Sequence, residues 1–318
     1  MKHKILVSDG MDAAAVETLK ACALLDVDFR KSTPLPDLLK VLPTVNALAI
    51  RSATKVTREV LDAAPQLKLI VRLGAGVDNI DLEAAKAKGV TVMNTAAANA
   101  NSAAEHAIAL MFSLARQIPD AAKSLRAQEW RRADFMGVEL DGKTLGVLGL
   151  GQIGKMVAKK ALGLGMKVVG YDPFVTSLKE SDLAAVQIVK NLDEALGLCD
   201  WVTLHLPKNK ETTNLLNADR LRKIKKGGRV INAARGGVVS ESDLIKVLDE
   251  GHLAGAALDV FDTEPPTFPN PLFAHTKILA VPHLGASTVE AQERVGGVGA
   301  EKIIAFFEKG DRTGTLTL

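Results

Sequence analysis

Strand-length apolar runs alternate with helical periodicity along most of this chain. Lys4–Val7, Ala47–Ile50, Leu69–Val71 and Val90–Met93 read as strands, and Ala13–Leu19, Thr57–Ala63 and Leu82–Lys88 between them as helices. That order predicts a mostly parallel sheet with helices on its faces. Arg51-Ser52 directly follows the second of these strands, and a glycine loop, Arg72–Asp78, follows the third. Asn101–Arg116, rich in alanine and leucine, predicts a strong helix, with Ser102 as its N-cap and Glu105 at capping-box spacing. A second alternation begins at Thr144. Its strands are Leu145–Leu148, Lys167–Gly170, Trp201–Leu204, Arg229–Asn232, Gly255–Leu258 and Ile278–Val281. The last helix, Glu290–Phe307, is long enough to return to the N-terminal unit.

The expected class is α/β, with two doubly wound parallel-sheet lobes. The second lobe is inserted between the two ends of the first, so residues 1–99 and 285–318 form an outer domain and 100–284 an inner one. The crossings fall near Ala98–Ser102 and Leu284–Thr288. A ligand crevice is expected between the lobes, where carboxyl ends of strands face it.

Composition narrows the class. The 318 residues are enough for two domains, and 47% are hydrophobic, ordinary for a globular protein. No apolar run reaches the length of a membrane span, and MKHKILVSDG enters a strand directly rather than a signal peptide. The two cysteines, Cys22 and Cys199, have neither disulfide-framework nor metal-ligand spacing, which points to the reducing cytoplasm. The net charge of +3 is spread thinly, which argues against a nucleic-acid partner; Arg222, Lys223, Lys225 and Lys226 read as a solvated helix end. No histidine pair has metal-site spacing, so no metal is expected.

The strongest motif is TLGVLGLGQIGKMVAKKALGLGMKVVGYDP, Thr144–Pro173. A strand is followed by Gly149, Gly151 and Gly154, then a helix, then a strand ending at Asp172. Gly149 permits the tight turn, Gly151 lets backbone approach a pyrophosphate, and Gly154 allows close helix–strand packing. Free N–H groups at the helix start can receive phosphates. Asp172 is spaced to accept from a ribose diol and to disfavour a 2′-phosphate. The cofactor expected is NAD.

Three later segments each put a polar residue just past a strand: Arg235 in NAARGG, Glu264 in LDVFDTEPP and His283 in PHLGAST. Hydride transfer at a secondary alcohol needs a base, a cation for the substrate carboxylate, and a group that orients the base. His283 suits the base, with an ordinary pKa of roughly 6.5. Glu264 suits the orienting carboxylate, and Arg235 the bidentate cation. Gly236 and Gly237 let that backbone lie close to its ligands. His106, on the alanine-rich helix, reads as a packing or hydrogen-bonded residue. His205 is a candidate for the adenine side of the cleft. His3, His252 and His275 look peripheral.

With these motifs in place, the chain closely resembles the D-isomer-specific 2-hydroxyacid dehydrogenases over nearly its whole length. The resemblance implies a flavodoxin-like substrate lobe and a Rossmann NAD lobe, and the catalytic roles above for Arg235, Glu264 and His283. It extends the expected cofactor contacts to Gln152, Ile153, His205, Pro207, Thr213, Ala233, Asp259 and Gly285, beside Arg235 and His283. RSATKVT (Arg51–Thr57), RLGAGVDNID (Arg72–Asp81) and HLGASTVEAQ (His283–Gln292) are most similar to the phosphoglycerate-oxidising branch. That branch implies oxidation of 3-phospho-D-glycerate to 3-phosphohydroxypyruvate. Substrate contacts would come from Arg51, Ser52, Arg72, Gly74, Ala75, Gly76 and Asn99, with Arg235 and His283. Arg51 and Arg72 would face the phosphate, and the Gly74–Gly76 loop the carboxylate. Asn94-Thr95 is followed by Ala96, Ala97 and Ala98, where the branch commonly has a Pro-Asn-Gly type of segment. That departure keeps a glyoxylate, hydroxypyruvate or other D-2-hydroxyacid reductase as the alternative. A nucleotide-sensing corepressor is a further alternative, disfavoured by the intact trio. Relatives also imply a homodimer, through the helix from Asn101 and the apolar Trp130, Phe135 and Met136. The chain ends at Leu318, so the reading expects no serine-binding regulatory domain beyond it.

Overall fold

The computed structural model describes residues 2–317. The chain divides into two compact units, Met1–Asn99 with Ala286–Leu318, and Ala100–Gly285.

The first unit runs β1 (His3–Val7), α1 (Ala13–Ala21), β2 (Leu25–Phe29), α2 (Leu35–Val41), β3 (Ala47–Ile50), α3 (Arg58–Asp62), β4 (Leu69–Arg72), α4 (Leu82–Ala87) and β5 (Thr91–Asn94). Its five strands are all parallel, in the order β2-β1-β3-β4-β5. That is the flavodoxin-like order, with its switch point between β1 and β3. Alternate side chains feed two cores, one on each face. Ile5, Val7, Ala47, Ala49, Leu69 and Val71 share one core, and Leu6, Leu48, Ile50 and Ile70 the other. Leu6, Leu48 and Ile70 are each fully buried, a burial contributing about 1.5–3 kcal/mol per side chain. β2 carries no continuous apolar run; Asp26 and Asp28 alternate with Leu25, Val27 and Phe29. Acidic residues on an edge strand keep it from pairing with other chains.

The second unit contains α5 (Ala100–Arg116), α6 (Ile118–Arg126), β6 (Thr144–Leu148), α7 (Gln152–Gly163), β7 (Lys167–Tyr171), β8 (Gln187–Ile188), α8 (Leu192–Gly197), β9 (Trp201–Leu204), α9 (Ala218–Leu221), β10 (Gly228–Asn232), α10 (Glu241–Asp249), β11 (Leu253–Leu258), α11 (Pro271–Ala274) and β12 (Ile278–Ala280). Its seven parallel strands lie in the order β12-β11-β10-β9-β6-β7-β8. The order reverses between β6 and β9, and ligands in open α/β sheets bind outside the carboxyl ends at such a point. The expected pair of doubly wound parallel sheets is therefore what the chain forms.

Ser102 does not cap α5. The helix already begins at Ala100, and Ser102 is buried within its first turn. A 3-10 turn over Ala96–Asn99 runs straight into α5, so the backbone never takes the extended conformation an N-cap requires. Glu105 instead accepts from Asn101 Nδ2 at 2.9 Å.

The last helix, α12 (Val289–Lys309), packs within the first unit on α1 and β4. Thr288 caps it by accepting from Ala291 N–H. Beyond α12, Leu316 N–H donates to Val92 O at 2.7 Å and closes the free side of β5.

Candidate active site

Within the second unit, the sequence-selected residues all follow carboxyl ends of strands. Gly149 follows β6, Asp172 β7, His205 β9, Arg235 β10, Asp259 β11 and His283 β12.

At the switch point Gly149 takes φ 95°, and a Cβ there would lie 2.5 Å from His205 O. Only glycine fits. A Cβ on Gly154 would collide with Gly149 O, which is why α7 can approach β6 so closely. Gly151 differs: a Cβ on it would meet nothing within 4 Å. α1, α3, α4, α10 and α12 have side-chain caps from Asp12, Thr57, Asp81, Ser240 and Thr288, but no side chain caps α7. The N–H groups of Gly151, Gln152 and Ile153 make no hydrogen bond among the described residues. An uncapped helix start with open space before it suits an anion, and a pyrophosphate would fit there.

Two backbone N–H groups fix the Asp172 carboxylate at the end of β7. Leu150 N–H donates to its Oδ2 at 2.9 Å and Phe174 N–H to its Oδ1 at 2.9 Å. Each carboxylate oxygen keeps further lone-pair capacity. His205 Nε2 lies 3.0 Å from Thr203 Oγ1, and burial drives its imidazole down to about 4, leaving it neutral. The Pro207–Thr213 loop is stitched by Thr212 Oγ1 donating to Pro207 O at 2.6 Å and Thr213 Oγ1 to Asn209 O at 2.7 Å.

Arg235, Glu264 and His283 act on one another. His283 Nδ1 is 2.6 Å from Glu264 Oε2, and Glu264 Oε1 accepts from Phe261 N–H at 3.0 Å. The hydrogen bond to Glu264 raises the His283 pKa above its ordinary value against the opposing effect of burial; the charges of Glu264 and Asp259 add to the rise, and Arg235 opposes it. Burial pushes Glu264 upward, but the bonds from His283 and Phe261 N–H, with the charges of His283 and Arg235, leave it below its ordinary value. With Nδ1 engaged by a carboxylate, Nε2 is the nitrogen free for a proton exchange. Arg235 donates from Nη1 to Ala234 O at 2.6 Å, and its carbonyl accepts from Asn232 Nδ2. Next to it, a Cβ on Gly236 would collide with Phe261 O, so glycine brings this turn against the loop bearing Glu264. Ala233 lies half-buried at the start of that turn. Gly285 donates its N–H to Asp259 Oδ2 at 2.9 Å.

An apolar cavity of about 630 Å³ adjoins His283 and Glu264, walled by Phe261, Phe268, Phe273 and Pro282. It includes none of the glycine-loop residues, so it is separate from the Gly149–Gly154 turn.

Within the first unit, the substrate candidates cluster past β3 and β4. Asp9 ties down the Arg51–Thr54 loop: its carboxylate accepts from Arg51 N–H at 2.8 Å, Thr54 N–H at 2.9 Å and the Thr54 hydroxyl at 2.7 Å. Asn79 Nδ2 donates to Arg51 O and Thr54 O from the other side. Ser52 is exposed in this loop. Arg51, Lys31 and Thr288 border a groove of about 740 Å³. Arg72 donates from Nη1 to Leu73 O at 2.9 Å. Gly74 N–H is taken by Thr95 Oγ1 at 2.7 Å, so of the expected carboxylate loop the N–H groups of Ala75 and Gly76 stay without a hydrogen bond among the described residues. Asn99 is buried, and its Oδ1 has no hydrogen-bond partner among the described residues.

Two residues here have partners that the sequence does not indicate. Asp9 sits in an ordinary strand-end turn, and only the tertiary fold brings the Arg51 loop to it. His106 Nε2 lies 3.2 Å from Asp259 Oδ1, a partner far away in the chain. Among the described residues no group of three or more histidine, cysteine or acidic side chains could hold a metal ion, and no helix is long and apolar enough to cross a membrane.

Residues 108–285 match the sequence profile of the D-isomer specific 2-hydroxyacid dehydrogenase NAD binding domain. The chain belongs to that family. It is 46% identical over 294 residues to D-3-phosphoglycerate dehydrogenase of Pongo abelii, covering 92% of this chain and 54% of that protein. The chain thus spans about half the length of the curated relatives it matches. Among solved structures, NAD+-bound 3-phosphoglycerate dehydrogenase of Entamoeba histolytica superposes with a TM-score of 0.84 at 30% identity, over 99% of both chains. A glyoxylate reductase of Paecilomyes thermophila superposes with a TM-score of 0.89 at 28% identity, over 99% of this chain and 98% of that one. As a family member, the chain has NAD as its cofactor, and the uncapped α7 turn with Asp172 fits that dinucleotide.

Proposed function

We propose that this protein catalyses NAD-dependent oxidation of 3-phospho-D-glycerate to 3-phosphohydroxypyruvate. The observation that carries the reading is the short His283–Glu264 contact under the charge of Arg235, in the same unit as the uncapped phosphate turn. The likeness to D-3-phosphoglycerate dehydrogenases supports the choice of substrate.

NAD, when bound, supplies the hydride acceptor. Gly151, Gln152 and Ile153 offer N–H groups to its phosphates, and Asp172 accepts from the ribose hydroxyls. The chain's own chemistry lies in the trio. Arg235 grips the substrate carboxylate through its planar fork. The hydroxyl at C2 donates to His283 Nε2. As the C2–H bond breaks and its electron pair leaves as hydride, the hydroxyl proton moves to Nε2 and the C–O bond becomes a carbonyl. Glu264 holds Nδ1–H and stabilises the imidazolium that forms. The proton leaves later to solvent. In the first unit, Ala75 and Gly76 N–H groups suit the carboxylate. Arg51, Ser52 and Arg72 suit the phosphate, with Asn99 as a further polar contact.

A steady-state assay with NAD against phosphoglycerate, glycerate and lactate tests this. The highest kcat/KM belongs to phosphoglycerate; equal or higher values for unphosphorylated acids would overturn the substrate. The likeness to glyoxylate reductase favours a second reading, reduction of glyoxylate or hydroxypyruvate by the same trio, and the keto acids belong in the same panel.

We further infer a homodimer. Ile118, Leu125, Trp130 and Met136 expose large apolar surfaces on neighbouring stretches of chain, with Trp130 81% and Met136 85% exposed. Light scattering at micromolar concentration tests it, and a mass of one chain would refute it. Both cysteines are unpaired, which supports a cytoplasmic setting.

A further inference from the structure

We propose that His106 is a positioning residue for the His283 turn, acting through the Asp259 carboxylate. The assignment rests on the role proposed above for His283.

The turn that carries His283 is unusual backbone. His283 has φ 54°, in the left-handed region where a non-glycine residue is strained. Something must hold it there. His283 N–H bonds Val281 O at 3.1 Å, and the next two N–H groups both go to Asp259. Leu284 donates to Oδ1 at 2.6 Å and Gly285 to Oδ2 at 2.9 Å. One carboxylate therefore holds two successive N–H groups of the turn, beside the bond from His283 Nδ1 to Glu264.

Asp259 is fully buried, and a buried carboxylate is costly unless polar groups surround it. Among the described residues, the only lysine, arginine or histidine nitrogen within 4.0 Å of it is His106 Nε2, at 3.2 Å from Oδ1. That nitrogen is itself buried and makes no well-aligned hydrogen bond among the described residues. The contact is thus one of charge and dipole rather than of a directed bond. His106 projects from α5 one turn beyond Ala103, and a Cβ on Gly285 would lie 3.9 Å from Ala103. The same helix face therefore meets both Asp259 and the turn it holds. Removing His106 Nε2 frees the carboxylate to turn away, and the two amides lose their acceptor together.

The test compares His106→Gln, whose amide nitrogen can occupy the place of Nε2, with His106→Asn, which is one carbon too short. The first readout is hydrogen exchange at Leu284 and Gly285 in the protein without nucleotide. The asparagine variant is expected to exchange these amides at least about tenfold faster, and the glutamine variant within about threefold of the parent. The second readout is turnover. The asparagine variant should lose about tenfold in kcat with little change in KM for the hydroxyacid, and the glutamine variant should recover most of it. Affinity for ADP-ribose, which probes the glycine turn without the nicotinamide, should be the same in all three. His106→Ala, in a helix already rich in alanine, replaces the asparagine variant if that chain does not fold. Parental exchange at Leu284 and Gly285 in the shortened variant overturns the proposal. A parent protein without dehydrogenase activity instead overturns the functional reading, and the exchange result still decides His106.

Discussion

His283 Nδ1 and Glu264 Oε2 are 2.6 Å apart, and this pair raises the imidazole pKa while lowering that of the carboxyl. Oxidation needs the unprotonated imidazole. The kcat/KM for oxidation should therefore rise with pH and level off above a pKa higher than 6.5. In Glu264→Gln that inflection should move to lower pH, and turnover should fall about 10²–10⁴-fold, as expected for a damaged general base. His283→Ala should lose a similar factor and still bind NAD. A pH–rate profile of each variant checks both statements; an unmoved inflection in Glu264→Gln would separate the two residues.

The same pair links stability to pH. His283, with a raised folded-state pKa, contributes stability that is fully present below its unfolded pKa and is lost as pH rises through the folded value. Glu264, with a lowered pKa, contributes stability present above its unfolded pKa and lost as pH falls through the folded value. The pair therefore stabilises most between those limits. Urea midpoints of parent and Glu264→Gln should differ most near pH 6 and converge in both acid and alkali. Solvent reaches both side chains, which keeps the effect small.

Gly151 and Gly154 should fail in opposite ways. A Cβ at 154 would collide with Gly149 O, whereas one at 151 meets open space. Gly154→Ala should destabilise the fold by about 1–3 kcal/mol through overpacking. Gly151→Ala should keep the parental melting temperature and lose NAD affinity by at least about tenfold, since the methyl occupies the approach to the phosphates. Thermal melts beside NADH fluorescence titrations distinguish the two; loss of stability in Gly151→Ala would contradict the open site.

The phosphate contact proposed for Arg51 can be tested through substrate choice. Its backbone is anchored by Asp9 and Asn79 without using the guanidinium. Arg51→Ala should therefore leave the loop in place and raise KM for phosphoglycerate about tenfold or more, by loss of a charge-assisted contact. Glyoxylate and lactate kinetics should change little. Equal losses across the panel would remove Arg51 from phosphate recognition.

Much of the architecture was legible in the chain itself. Strand-length apolar runs ending in glycine or a polar residue mark sites that local sterics dictate: Gly149 needs a positive φ, and Gly154 needs the absence of a side chain. Those constraints act over a few residues, so they leave a linear signature. β2 lacked one because an edge strand buries a single side and carries aspartates on the other. Ser102 misled because capping depends on the backbone preceding it, which the Ala96–Asn99 turn had already committed to helix. Only the tertiary structure decided which distant groups meet. The His283–Glu264 contact joins loops after different strands, Asp9 reaches across the switch point to the Arg51 loop, and His106 meets Asp259 from a helix remote in sequence. Such pairings depend on sheet order and helix rotation, and the energy that sets them is spread over the whole buried core rather than written in any local stretch.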